Sequence, residues 1–311
     1  MKKEMKKCPL CHSFNLQKSY QVGNYQYDGC KSCFTLFLFP RPSIQEMRKY
    51  YQKDFQYSAG LINEKLIRKR AKIILNNLKK FFPDGKTLLD VGSGYGCFLD
   101  EAKKFKLKTV GLEPAKELCQ FSKKQSKVGV INVDLETYSQ VRGQKRKFDF
   151  ITIIHTIEHV VNPEKMIDQA ASLLNKNGIL FIETPNLDSH LFNVLKKDYD
   201  FLIPPDHIWL FSKKSLQLIL GKFKDLKIEK IATYSYPEHL MGIIKRLIKG
   251  SAETSKLMMK EPKTTLSSHK ISLDKKIKIL LFDRSMARII HPCLNLFDKG
   301  SILEIYLKKS G

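Results

Sequence analysis

Leu88-Leu89-Asp90-Val91-Gly92-Ser93-Gly94-Tyr95-Gly96 joins a short apolar run to a turn with three glycines in five residues. The run is too short for a helix and suits a buried strand, while the glycines permit a sharp turn whose backbone a ligand can approach closely. Asp90 stands two positions before the first glycine. The spacing is GxGxG; a dinucleotide-type GxGxxG turn would need a glycine where Cys97 stands.

Working outward, short apolar runs alternate with amphipathic stretches from Lys86 onward, which predicts an α/β fold on a doubly wound, Rossmann-like sheet. Strands are expected at 87–91, 109–112, 129–133, 148–154, 179–183, 226–234 and 302–307, with helices at 97–105, 115–125, 164–174 and 213–220. The glycine turn then lies beyond a strand's carboxyl end, where open parallel sheets bind ligands. Glu113 ends the second strand about 20 residues on, where a carboxylate can accept ribose hydroxyls. Asp134 follows the third strand.

Taken together, LLDVGSGYG at 88–96, VGLEP at 110–114, VDLE at 133–136, FDFITIIHTIEHV at 148–160 and LLNKNGILFIETPN at 173–186 resemble the class I S-adenosylmethionine-dependent methyltransferases. The resemblance covers about the middle half of the chain. It implies a seven-stranded sheet whose last strand, 302–307, is antiparallel and inserted beside the sixth. It also implies S-adenosylmethionine as cofactor, with Asp90, Gly92, Ser93, Gly94 and Gly96 around its amino-acid end. Glu113, followed by Pro114, would take the ribose, Asp134 and Leu135 the adenine, and His155 would lie beside the methionine portion.

His155, Glu158 and His159 bring three titratable groups into the segment HTIEHV after the fourth strand. Methyl transfer is an in-line displacement, so alignment matters most, with proton removal where the nucleophile carries one. A histidine suits the second task. His159 is the expected general base, with Glu158 orienting it or stabilising its charge; loop shaping is the alternative, and metal binding by Glu158, His159 and His207 a lesser one. His207 sits in PPDHIWLFSKKSL, where the family commonly has a histidine-and-aromatic segment. It is expected to line an acceptor pocket with Trp209 and Tyr199, or else to be structural.

Four of the seven cysteines form two CxxC pairs, Cys8/Cys11 and Cys30/Cys33. With no signal-like apolar stretch after MKKEMKKCPLCHSF, this spacing reads as a structural zinc site in a reducing cytosol rather than disulfides. Strands at 16–20 and 25–27 around Gly23-Asn24 complete a zinc ribbon, followed by a strand at 34–39. Ser43 and Glu46 start a helix over 44–55 as a capping box, and another is expected at 61–82. The organisation read from these features is a ribbon at 1–42, a helical linker or lid at 43–85, the cofactor core at 86–236, a helical insertion at 237–300 and the last strand at 301–311.

The net charge is +24, from 46 Lys and 9 Arg against 31 acidic residues, and 42% hydrophobic content rules out a disordered polycation. By segment the charge is +12 over 1–86, +4 over 87–234 and +8 over 235–311, so the core is nearly balanced. The basic flanks admit a phosphorylated or lipid-linked acceptor, an anionic membrane surface through the basic amphipathic stretches 240–248 and 271–290, or simply a solvated surface. Nucleic acid is a weaker candidate: lysine reads bases poorly, and no aromatic-rich RNA motif is present. The four-cysteine unit is similar to that of deoxysugar C-methyltransferases, but the chain is expected to lack room for the additional large C-terminal domain of that group. The expected activity is therefore methylation of a small molecule such as a sugar, a quinone-like compound or a carrier-linked metabolite. RNA methylation and a non-catalytic cofactor-binding scaffold are the alternatives, and nicotinamide chemistry is disfavoured by the GxGxG spacing.

Overall fold

A computed structural model describes residues 7–54, 64–125, 128–141, 146–235 and 298–311. The expected insertion at 237–300, with Cys293, lies outside the described residues except for 298–300. No helix among the described residues is long and apolar enough to cross a membrane.

The chain begins with β1 (Leu16–Val22), β2 (Tyr25–Cys30) and β3 (Leu36–Phe39). Helix α1 (Ile44–Lys49) starts at the expected capping box: the Glu46 N–H donates to Ser43 Oγ, and the Ser43 N–H donates to the Glu46 carboxylate. The helix expected through residue 55 stops short at Lys49, and residues Tyr50–Asp54 form a π-turn. Such a turn carries an extra residue and changes the direction in which its side chains leave the axis, and here it brings Tyr51 to the cavity described below. Helix α2 (Glu64–Phe81) buries Ala71, Ile74, Leu75 and Leu78 on one face, against β-strand residues such as Leu88 and Phe150.

The main sheet follows with β4 (Thr87–Val91), α3 (Cys97–Lys104), β5 (Lys108–Leu112), α4 (Lys116–Gln125) and β6 (Val130–Ile131). The chain then returns through α5 (Leu135–Gln140), β7 (Phe148–Ile154), α6 (Pro163–Leu173) and β8 (Leu174–Pro185). Asn162 caps α6, with Pro163 at its first position, where no intrahelical N–H is needed. Helix α7 (His190–Leu195), β9 (Trp209–Leu210), α8 (Lys213–Leu220), β10 (Leu226–Tyr234) and β11 (Ile302–Lys309) complete the described chain.

Seven strands pair in the order β10-β11-β8-β7-β4-β5-β6. Those from β4 to β8 are mutually parallel, and β11 lies antiparallel between β8 and β10. This is the expected doubly wound sheet with its last strand inserted. The chain winds outward from β4 through β5 and β6 and then turns back to β7, so the switch point, and the crevice it opens, lies at the carboxyl ends of β4 and β7.

A second sheet has the order β1-β2-β3-β9, all antiparallel. Its fourth strand comes from far along the chain, a pairing that local periodicity does not foretell. Cys8, Cys30, Cys33 and Leu36–Leu38 share one apolar cluster with Trp209, Phe211 and the core of the large sheet.

Candidate active site

The glycine turn is shaped by steric necessity. Gly92 has φ +73, and a Cβ there would lie 2.3 Å from Thr156 Oγ1. Gly94, at φ +50, has nothing within 4 Å of the point where a Cβ would stand, so its open side faces space. That space is a cavity of about 570 Å³ at the switch point, lined by Gly92, Gly94, Glu113, Pro114, Asp134, Leu135 and His155 among others. Its size lies in the range of small-ligand and cofactor sites.

Asp90 sits buried beneath the turn, where it accepts a hydrogen bond from Thr152 Oγ1 at 2.6 Å; burial pushes its pKa up to about 7. Glu113 accepts from the Gly94 N–H and the Ala115 N–H, each at 2.8 Å, which ties the ends of β4 and β5 together. Burial raises its pKa, and the two backbone donors oppose the rise. Gly96 begins α3 at φ +76, and the Ser93 hydroxyl is buried without a hydrogen-bond partner. Asp134 caps α5, accepting from the Thr137 N–H at 2.7 Å, and pairs with Arg48 at 2.9 Å.

At the other end of the cavity three histidines meet three carboxylates. His155, at the strained φ of +46, lies 3.4 Å from Glu158 through Nδ1 and 3.4 Å from Glu183 through Nε2. Burial disfavours its charge, but the two carboxylates outweigh burial and raise its pKa to about 10. Glu183 also pairs with Arg70 of α2 at 2.8 Å and accepts from the Tyr234 hydroxyl at 3.0 Å. Arg70 reaches Glu304 as well and packs over the Tyr234 ring, 3.8 Å from its centroid.

His159 Nδ1 lies 3.0 Å from both the Asp206 carboxylate and the Asp206 carbonyl. Burial works against the imidazolium, yet Asp206 raises His159 to about 9, while His159 in turn holds Asp206 down to about 2 against its own burial. The Tyr51 hydroxyl donates to the same carboxylate at 2.6 Å. The expectation that Glu158 orients His159 or stabilises its charge divides: Asp206 holds the ring, while Glu158 pairs with His155, accepts from Thr184 Oγ1 at 2.9 Å and still helps to hold the charge on His159. The reason is local, because Ile157–His159 form a 3-10 turn, whose successive side chains leave the axis about 120° apart.

His207 packs edge-on to His159, with ring centroids 4.6 Å apart, and its Nδ1–H donates to the Phe201 carbonyl at 2.8 Å. Burial and the neighbouring His159 push its pKa down to about 4, so it is neutral at ordinary pH. The donor atoms of Glu158, His159 and His207 lie within 4.8 Å of one another. Trp209 and Tyr199, expected beside His207 on the wall, are core residues instead, with hydrogen bonds to the Val160 and Asn186 carbonyls. Phe201 and Ile203 occupy the wall in their place.

Sequence reading missed Asp206, Tyr51, Arg48 and Arg70. Two of them carried a signal: Asp206 adjoins His207, and Arg70 falls one turn from both Ile67 and Ile74, on the apolar face of its helix. Tyr51 carried none, since the π-turn decides where it points.

The four cysteines form a second cluster. Their sulphurs lie within 4.8 Å of one another, with Cys8–Cys33 at 3.8 Å and Cys11–Cys30 at 3.5 Å, too far apart for disulfides. The two CxxC turns repeat one geometry. The His12 N–H donates to the Cys8 carbonyl and the Phe34 N–H to the Cys30 carbonyl, both at 2.9 Å, and His12 and Phe34 have φ +59 and +58.

Residues 62–224 match the family model described as a methyltransferase domain. The chain is 30% identical over 150 residues to a ubiquinone biosynthesis O-methyltransferase of Pelagibacter ubique, spanning 46% of this chain and 62% of that protein. It is 28% identical over 128 residues to the enzyme of the same name from Coxiella burnetii, spanning 39% and 53%. Among solved structures, the plantazolicin methyltransferase BpumL, in complex with a monoazolic desmethylPZN analog and S-adenosylhomocysteine, matches 86% of this chain and 90% of its own at 15% identity and TM-score 0.50, a likeness of fold. The chain belongs to the methyltransferase-domain family, and its central part is an S-adenosylmethionine-dependent methyltransferase domain.

Proposed function

We propose that the chain methylates a hydroxyl group of a small, largely apolar acceptor, with S-adenosylmethionine as donor and His159 as the group that takes the acceptor's proton. The observation that carries this reading is that the His159–Asp206–Tyr51 cluster faces the same cavity as Gly92, Gly94 and Glu113. S-adenosylmethionine supplies the electrophilic methyl group. The open side of Gly94 is the space into which the cofactor's amino-acid end would fit, and Glu113 and Asp134 are the carboxylates that would hold its ribose and adenine.

Neutral His159 accepts the proton at Nε2 while Asp206 holds Nδ1, and Asp206 then stabilises the resulting imidazolium. A phenol with a pKa of about 10 is matched to a base near 9 within about 1.4 kcal/mol. Phe201, Ile203 and Val160 make that end apolar, which favours a flat organic acceptor over a polyanion. Relatives named for ubiquinone biosynthesis O-methylation support a phenolic acceptor.

The same reading assigns a structural zinc ion to Cys8, Cys11, Cys30 and Cys33. The thiolate spacings of 3.5 and 3.8 Å suit the edge of a tetrahedral four-sulphur site, about 3.8 Å for Zn–S bonds of about 2.3 Å. Titration calorimetry with S-adenosylhomocysteine, followed by methyl transfer from labelled S-adenosylmethionine to a panel of catechols and dihydroxybenzoates, tests the function. Absence of saturable S-adenosylhomocysteine binding refutes it.

A further inference from the structure

The four-cysteine sheet and the acceptor end of the cavity share one stretch of chain. Residues 206–212 run as a strip hydrogen-bonded on both sides. Toward the N-terminal sheet, the Leu38 N–H donates to the Ile208 carbonyl at 2.8 Å, Thr35 Oγ1 to the Leu210 carbonyl at 2.9 Å and Ser212 Oγ to the Cys33 carbonyl at 3.0 Å. Toward the catalytic turn, the Ile208 N–H donates to the Glu158 carbonyl and Trp209 Nε1 to the Val160 carbonyl, both at 2.9 Å.

One of these ties stands apart. Tyr27 of β2 is fully buried, and its hydroxyl donates to the His207 carbonyl at 2.6 Å across 180 positions of sequence. A phenol hydroxyl buried against an apolar core needs an acceptor, and this one donates to the carbonyl of the residue that follows Asp206. Asp206 holds His159 through both its side chain and its own carbonyl, so the placement of the 206–207 peptides sets the position of the base.

We propose that Tyr27 is a positioning residue for the His159–Asp206 pair, which makes the four-cysteine sheet a support behind the acceptor end rather than an independent module. The importance of the pair rests on the reading of His159 given above; the placement of the pair does not. His159 is faced by Asp206 and His207 from the strip, Glu158 from its own turn, Tyr51 from the π-turn and Glu113 from the end of β5. Tyr27→Phe leaves all of these in place and removes one tie of the strip, the one made at the His207 carbonyl.

The test is a histidine ring NMR titration of the full chain in wild type, Tyr27→Phe and Thr35→Val, with S-adenosylhomocysteine affinity measured in parallel. Thr35→Val deletes a comparable buried hydroxyl-to-carbonyl bond to the same strip, three residues from His207. In Tyr27→Phe the His159 midpoint is expected to fall from about 9 by about one unit. In Thr35→Val it should stay within about 0.2 unit, with cofactor-product affinity within about twofold in both. An unchanged midpoint in Tyr27→Phe, or equal shifts in the two variants, overturns the proposal. Should the phenylalanine variant not fold, 3-fluorotyrosine at position 27 keeps the ring and strengthens the donor, and an unmoved His159 midpoint there also overturns it. Loss of S-adenosylhomocysteine binding in the wild type would sink the functional reading while leaving this titration interpretable, since the titration needs no ligand.

Discussion

Asp206→Asn separates the charge of the His159 partner from its shape. The amide has nearly the size of the carboxylate, and the Asp206 backbone carbonyl, also 3.0 Å from His159 Nδ1, still accepts the ring proton, so tautomer and ring position are retained. What disappears is the negative charge that lifts His159 to about 9 against its own burial. With burial then opposed by Glu158 and the Asp206 carbonyl, His159 should fall toward its ordinary value of 6.5, by up to about 2.5 units, which corresponds to about 3 kcal/mol. Linkage gives the sign: a raised histidine pKa adds stability that is fully present below 6.5 and lost as pH rises through about 9. Asp206, lowered to about 2, is the same interaction seen from its partner, lost as pH falls from about 4 through 2. Urea unfolding of the wild type should therefore lose about 3 kcal/mol from this pair between pH 6.5 and pH 10, and the variant should lack that decline. The rate tells the same story. On the proposed reading that the neutral ring is the base, wild-type kcat/KM should rise with pH through about 9, and the variant should level off at lower pH with a lower ceiling, its base being weaker. A His159 resonance in the variant that still titrates near 9 would refute the reasoning.

Other perturbations probe separate parts of the molecule. Gly92→Ala forces a methyl group onto Thr156 Oγ1 at a positive φ and should cost about 1–3 kcal/mol in denaturant unfolding while weakening S-adenosylhomocysteine binding at least about tenfold. Gly94→Ala meets no neighbour, so its stability loss should stay near the 1 kcal/mol of the left-handed backbone, yet calorimetry should show weakened cofactor-product binding; equal affinity would mean the open side is not used. Arg70→Met removes the cation shared by Glu183 and Glu304, leaving them His155 and Lys230, and should cost about 3 kcal/mol at neutral pH, partly recovered on acidification; a cost below about 1 kcal/mol would show the cluster is solvated. Metal analysis should find about one zinc ion per chain, and chelation should lower the melting temperature, with loss of the His159 titration near 9 as its local signature.

Much of this was legible in short-range pattern. Strands β4, β7 and β10 were expected at the bounds observed, because apolar runs closed by glycine, charge or turn residues leave little choice of length. The cysteine cluster and the glycine turn were visible because their chemistry needs fixed spacings within a few residues. Helix α7 and strand β9 were not, the first being six residues and the second two, too short for any period to register. Glu158 was matched with its sequence neighbour His159, which it supports by charge while the 3-10 turn directs its hydrogen bonds to other partners.

What the sequence by itself determined is the fold class, the glycine turn that lines the cavity and the thiol cluster, each written in contiguous motifs whose backbone geometry is local. Only the tertiary structure decided which groups surround the reacting end. Asp206, Tyr51 and Tyr27 reach His159 and its support from positions about 50 to 180 residues apart, and such partnerships come from sheet order and loop closure. Those contacts form only once the core is packed, and no pattern of neighbouring side chains encodes them.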